Sequence, residues 1–347
     1  MERTLSYPEA ICEAIEQEMA QDASVIVLGL GVDDPKAILG TTKGLVGKFG
    51  AKRVFDTPLS EDGMTGVAIG ASLAGLRPIH VHSRMDFLLL AMNQIVNMAA
   101  KMHYMFGGKV SVPVVIRSII GKSWGQGPQH SQSLYPLFMN IPGLKIVAPS
   151  TPYDAKGCLI ASIRDNNPVI FIEHRLLYYQ KGFVPQEAYA VPFGKARIFT
   201  KGNDITLVGV SYMALECLRA HRYLREVGIK AEVINPVSLA PLDIDTIQKS
   251  VLKTKRLIVV DNAWMKCGAG AEIITQLFEK DIDKNVAVHR MGFAFVSCPT
   301  TPALEEHFYP NAKKIAAKAY QMLYPDKKPW QPTCKLEIEE IEFKGPF

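Results

Sequence analysis

The chain has 347 residues, 48% hydrophobic and 21% charged, with 39 Lys and Arg against 34 Asp and Glu and a formal net charge of +5. That balance excludes disorder, collagen and coiled coil, and the length suggests two domains, each able to bury its own core. The basic residues are mixed with acids and form no stripe, so nucleic acid is not an expected partner.

Helical and strand patterns alternate along the chain, as in a layered α/β protein with mostly parallel strands. Tyr7-Pro8-Glu9-Ala10 opens a helix whose apolar Ile11, Ala14, Ile15 and Met19 recur at three- and four-residue spacing, and 25–28 is a buried strand ended by Gly29 and Gly31. Further buried strands are expected at 79–81, 112–116, 144–147 and 169–172, with a helical stretch over 87–104. Between Tyr178 and Lys201 the periodicity fades and Gly182, Pro185, Pro192 and Gly194 gather, marking a connection. A second alternation follows: strand 205–210, helix 213–227, strands 231–234 and 256–260, and a helix opened by Gly268-Ala-Gly270-Ala-Glu272 and running to Phe278. The expected division is a first domain at 1–185, a linker at 186–203, a smaller domain at 204–324, and a tail at 325–347 that lies on a surface.

The six cysteines (Cys12, Cys158, Cys217, Cys267, Cys298, Cys334) are far apart and include no C-x-x-C pair. They read as free thiols in a reducing compartment, with neither a zinc knuckle nor a disulfide framework. The first residues lack the pattern of a secretion signal, and no apolar run reaches the roughly 20 residues of a membrane helix. A cytoplasmic protein without a membrane partner is expected.

The usual self-contained active-site motifs are absent: Gly29-Leu-Gly31 lacks the third glycine and later acid of a dinucleotide site, and there is no phosphate loop, H-E-x-x-H or G-x-S-x-G. The stretch Asp56-Thr-Pro-Leu59-Ser60-Glu61 places a carboxylate at the start of a helix, where backbone dipoles favour its ionised form. A capping acid on an exposed turn would look the same. Gly63, Gly66, Gly70 and Ala74 then line one helical face, and each interior glycine costs roughly 1 kcal/mol against alanine. Close approach of another helix would repay it, within the chain or across a subunit interface. The loop 121–133, glycine-rich and polar, follows a buried strand, and a ligand would bind there in an α/β sheet. It carries His130, a candidate acid or hydrogen-bond donor. His80 and His82 share one strand face and read as satisfied histidines at a sheet end.

With these blocks in view, the sequence resembles the beta subunit of the first component of thiamine diphosphate-dependent 2-oxoacid dehydrogenase complexes (pyruvate, acetoin and branched-chain type), relatives of the carboxyl-terminal half of transketolase. The resemblance rests on Asp56-Thr-Pro-Leu-Ser-Glu61, Ala74-Gly-Leu-Arg-Pro78, Gln94 with Ala99-Ala-Lys101, Gln129-His130-Ser-Gln132, Pro142-Gly-Leu-Lys145, Asp154-Ala-Lys-Gly157, Arg164-Asp-Asn-Asn-Pro168 and Gly268-Ala-Gly270-Ala-Glu272. It implies a pyrimidine-binding domain with a mostly parallel sheet, then a transketolase carboxyl-terminal-like α/β domain.

The resemblance assigns Glu61 to the aminopyrimidine ring of thiamine diphosphate, where a carboxylate on the ring nitrogen favours the tautomer that activates the thiazolium carbon. It puts Leu59 by the cofactor, stacks Phe87 on the pyrimidine, and faces His130 to the substrate, where it would stabilise developing charge or donate a proton. It also implies, more loosely, a potassium ion held by backbone carbonyls around Ser162, Ile163, Asp165 and Asn167. The family's Gly-Asp-Gly motif for magnesium and diphosphate is missing. A separate alpha subunit must then supply that half, in an α2β2 assembly that passes the acyl group to a lipoyl acyltransferase. The chain departs from the common pattern at Ser83-Arg84-Met85-Asp86 and Lys122-Ser-Trp124-Gly-Gln126. Arg84 and Lys122 there would suit an anionic substrate larger than pyruvate, or would point to solvent or pair with Asp86. The expected activity is acyl-transferring 2-oxoacid dehydrogenation, the alternative being the beta half of a split transketolase acting on sugar phosphates.

Overall fold

In a computed structural model the described residues are 3–34, 36–121, 125–280, 282–283 and 285–333. They fall into two compact units. The first takes the chain up to Gly121 together with Leu137–Phe193, and the second takes the segment ending at Pro136 together with the chain from Gly194 on.

The first unit contains strands β1 (Thr4–Ser6), β2 (Val25–Gly29), β3 (Val54–Phe55), β4 (Arg77–His82), β5 (Val115–Ile120), β6 (Lys145–Val147), β7 (Val169–His174) and β8 (Lys181–Phe183). Strands β6, β7, β5, β4, β2 and β3 lie side by side in that order, all parallel, while β1 and β8 form a separate antiparallel pair. Strands β2, β5 and β7 are buried along their whole length, which explains their unbroken apolar runs. The helix Tyr7–Gln21 starts with a capping box between Ser6 and Glu9 and buries Ile11, Ala14, Ile15 and Met19, the positions its spacing predicts, together with Ala10.

Two expectations shift. The strand expected at 112–116 lies at Val115–Ile120, because Pro113 has no N–H to give a central ladder and pairing starts only after it. The helical stretch expected at 87–104 is composite: Met85–Leu88 is α-helical, Leu89–Ala91 is a 3-10 turn, Gln94–Ala99 is a π-helix and Ala100–Met105 is α-helical.

The second unit contains β9 (Arg197–Thr200), β10 (Ile205–Gly209), β11 (Ala231–Asn235), β12 (Ser238–Ala240), β13 (Arg256–Trp264) and β14 (Ala287–Phe293). Its sheet runs β14-β13-β10-β11-β9, parallel except for β9. The helices Met213–Glu226 and Ala312–Leu323 cover one face, packing Cys217, Tyr223, Ile315 and Ala319 on Leu207, Val233 and Ile258. Trp330 rests on Tyr320 at 5.3 Å, so the described start of the tail lies against this unit.

Candidate active site

Strands β3, β2 and β4 are parallel neighbours, so the segments that follow them, including 56–61 and 83–87, leave one edge of the sheet. Ligands bind at that edge in such sheets. Asp56 accepts the backbone N–H of Gly31 at 2.7 Å and ties the turn after β3 to the end of β2. The helix Glu61–Leu73 begins directly after, with Glu61 and Asp62 in its first turn. Glu61 is half-buried, whereas Leu59 and Phe87 are apolar side chains exposed to 76% and 37%.

Among the described residues the glycine face of that helix meets no tight neighbour from another element. A Cβ on Gly66 would reach only the Gln94 side chain at an ordinary 3.6 Å, one on Gly70 would find nothing within 4 Å, and one on Gly63 would meet the Ser60 side chain of its own cap. Close approach of another described helix therefore does not explain the glycines. Val67 and Leu73 on the same helix are exposed as well.

One turn beyond Glu61, Thr65 Oγ1 lies 3.3 Å from His82 Nε2. The rings of His80 and His82 meet edge to face at 4.3 Å, and both are buried. Burial pushes the His80 pKa down to about 4 and moves His82 the same way, so both rings are neutral at pH 7. His80 Nδ1 lies 3.4 Å from the Leu28 carbonyl, but its Nε2 is buried without a partner among the described residues, so this histidine is only half satisfied.

Sequence reasoning missed a buried network on β5 and β7. Arg117 donates to both carboxylate oxygens of Glu173, at 2.7 and 2.9 Å, with both side chains fully buried. The Tyr178 hydroxyl adds a third bond to Glu173 at 2.7 Å. Charged residues inside otherwise apolar strands were the available signal, but their pairing is non-local.

Arg84 is 8% exposed and Ser83 half-buried. Arg84 therefore does not point to solvent. Lys122 and Trp124 lie outside the described residues.

His130 and Gln126 belong to the second unit, on the segment ending at Pro136. This segment is held from both ends. Gly125 packs so tightly that a Cβ would come within 2.7 Å of the Thr300 carbonyl, Asn262 donates to Ser133 at 3.3 Å, and the buried Tyr135 hydroxyl donates to Asp261. Asp261 also accepts from the Gly270 N–H at 2.9 Å. Burial raises its pKa against the pull of these bonds. His130 itself is half-buried. Glu61, Leu59, Phe87, Ser83 and Arg84 thus sit in the first unit and His130 and Gln126 in the second.

The potassium candidates lie at the end of the helix Pro152–Arg164. Arg77 Nη1 donates to the carbonyls of Ile163 and Asp165 at 2.9 and 3.0 Å, and Lys145 pairs with the Asp165 carboxylate. Ser162 Oγ turns back to the Cys158 carbonyl, and the Asn167 N–H binds the Asp165 carboxylate.

Residues 3–181 match the family model for the transketolase pyrimidine binding domain, and 194–315 match that for the transketolase C-terminal domain. The chain is 46% identical to the acetoin:2,6-dichlorophenolindophenol oxidoreductase beta subunit of Cupriavidus necator, over 92% of this chain and 97% of that one. Its counterpart in Bacillus subtilis is 42% identical, over 93% and 98%. The pyruvate dehydrogenase E1 component beta subunit of Porphyra purpurea is 43% identical, over 86% and 90%. Among solved structures, a split gene transketolase described as an inactive beta4 tetramer superposes with a TM-score of 0.75 at 20% identity, covering 93% of this chain and all of that one.

Proposed function

The chain belongs to the family of transketolase-type beta subunits of 2-oxoacid dehydrogenase first components, and from that premise we propose that it is the beta chain of a thiamine diphosphate-dependent enzyme that decarboxylates a 2-oxoacid and passes the acyl group to a lipoyl carrier. The observation that carries this reading is Glu61 at the head of the helix Glu61–Leu73, on the sheet edge that also presents the exposed Leu59 and Phe87. These residues fit the aminopyrimidine half of the cofactor: one carboxylate for a ring nitrogen, and two partly exposed apolar side chains to cover a flat heterocycle.

When bound, thiamine diphosphate supplies the carbon nucleophile that attacks the substrate carbonyl. Glu61 would hold a proton at the pyrimidine ring nitrogen, helped by the helix amino terminus that stabilises its charge. Phe87 would stack on the ring and, with Leu59, keep water from that hydrogen bond, which strengthens it. His130 would donate to the substrate oxygen as charge develops there. The tie of Tyr135 to Asp261 and of Asn262 to Ser133 fixes the segment that carries it.

Magnesium and the diphosphate are assigned to an alpha subunit, because this sequence has no Gly-Asp-Gly. An α2β2 assembly would cover the glycine face of the helix Glu61–Leu73 with its exposed Val67 and Leu73. A lipoyl acyltransferase is the proposed acceptor. Each carbonyl that binds Arg77 keeps a second lone pair, which would face a potassium ion there. We place the enzyme in the cytoplasm, in keeping with five free cysteines among the described residues. No helix among them is long and apolar enough to cross a membrane.

Ketol transfer between sugar phosphates is the weaker reading. The split transketolase shares the fold at 20% identity, whereas the beta subunits named above share more than 40%. Reconstitution tests the choice. The purified chain alone should release no carbon dioxide from any of a panel of 2-oxoacids, and addition of an alpha chain, magnesium and thiamine diphosphate should start it with at least one of them. Ketol transfer by the reconstituted pair without any 2-oxoacid turnover would reverse the assignment.

A further inference from the structure

Strands β5 and β7 and the residues just after β4 and β7 hold three buried arginines, Arg84, Arg117 and Arg175, and two buried acids, Asp86 and Glu173. Glu173 is committed, since Arg117 takes both its oxygens and Tyr178 adds a third bond. Arg84, two residues past the end of β4, has no such partner. Its Nη1 is buried without a hydrogen-bond partner among the described residues, and the Asp86 carboxylate acts on it through its charge. A guanidinium cannot lose its proton to escape burial, and an uncompensated buried cation costs several kcal/mol. The field of Asp86 offsets part of that charge but leaves Nη1 without an acceptor. Phe87, on the next helical turn, is the exposed ring that the functional reading places on the cofactor.

We propose that Arg84 is a specificity residue that receives a second anionic group on the substrate, a carboxylate or phosphate at the end remote from the reacting carbonyl. The inference rests on the dehydrogenase reading above and narrows it. The substrate is then a dicarboxylic or phosphorylated 2-oxoacid in place of pyruvate or acetoin. A planar guanidinium suits either group through two parallel N–H donors, which a lysine would not provide.

The test compares 2-oxoglutarate with 2-oxopentanoate, which share a carbon skeleton and differ in the terminal carboxylate. A phosphonate analogue of 2-oxoglutarate tells phosphate from carboxylate. With the reconstituted complex, kcat/KM should favour a charged acid over 2-oxopentanoate by about ten- to hundredfold, the range of one charge-assisted hydrogen bond. Arg84→Gln should remove most of that preference, and Arg84→Lys should restore part of it.

Binding of the same acids to the complex without cofactor, followed by calorimetry, reads the preference independently of turnover. Preference for 2-oxopentanoate or pyruvate in the wild type overturns the inference while leaving the dehydrogenase reading intact, even if the variants fail to fold. So does an Arg84→Gln complex that assembles more weakly with unchanged substrate preference, which would mean that an acid of the alpha chain meets Arg84. If no 2-oxoacid or acetoin is turned over, the functional reading falls. The calorimetric preference then still decides whether Arg84 receives an anion.

Discussion

The paired histidines of β4, buried more deeply than His221 and His289 of the second unit, should make β4 the more acid-sensitive strand. Native His80 titrates near 4, against about 6.5 in an unfolded chain. Between those values the unfolded chain binds the extra proton, so the stability is fully present above pH 6.5 and is lost as the pH falls toward 4. From pH 7 to pH 5 this amounts to about 2 kcal/mol from His80, or roughly 20- to 30-fold in the opening equilibrium. His82 shifts in the same direction and adds to it. Asp261 on β13 has the opposite sign: its raised pKa favours the native state at low pH and costs stability as the pH rises through the native value. Hydrogen exchange by mass spectrometry reads both strands in one sample, with intrinsic rates corrected for pH. Peptides over β4 should lose more protection between pH 7 and pH 5 than peptides over β13, and His80→Leu should flatten the β4 slope. Equal loss in both strands, or none in β4, would refute the burial argument.

Three other outcomes follow from named contacts. Glu173→Gln leaves Arg117 charged in a fully buried site and should destabilise the first unit by about 3–5 kcal/mol, read by urea unfolding with tyrosine absorbance. Tyr135→Phe strands one oxygen of the buried Asp261, costing about 1–3 kcal/mol, and should raise hydrogen exchange across 125–136 more than across β10. If potassium binds the carbonyls near Asp165, potassium chloride should raise the melting temperature above that in equimolar sodium chloride, and equal melting points would remove it from the proposal.

Local physics made most elements legible. The helix Tyr7–Gln21 follows from its apolar spacing and capping box, and the buried strands follow from runs that only a sheet covered on both faces permits. The position of Glu61 was legible because a turn and a helix start are both written within a few residues. Pairings made across the fold were not. Arg117 and Glu173 stand 56 residues apart, and Tyr135 and Asp261 stand 126 apart, with no local pattern linking them. The segment carrying His130 lies inside the first unit's stretch of sequence, yet its anchors are on β13 and at Thr300, so contact with the second unit decides where it belongs. The glycine face shows the converse: its sequence signal was plain, but no covering surface is found among the described residues.

The role of Glu61 is tested most directly by turnover of the Glu61→Gln complex, reconstituted with an alpha chain, magnesium and thiamine diphosphate. Cofactor affinity is measured by calorimetry in the same preparation. The account predicts intact assembly, cofactor still bound, and decarboxylation reduced by at least about a hundredfold, as expected when a positioned acid–base group is lost. Turnover within a few-fold of wild type at saturating cofactor would contradict it.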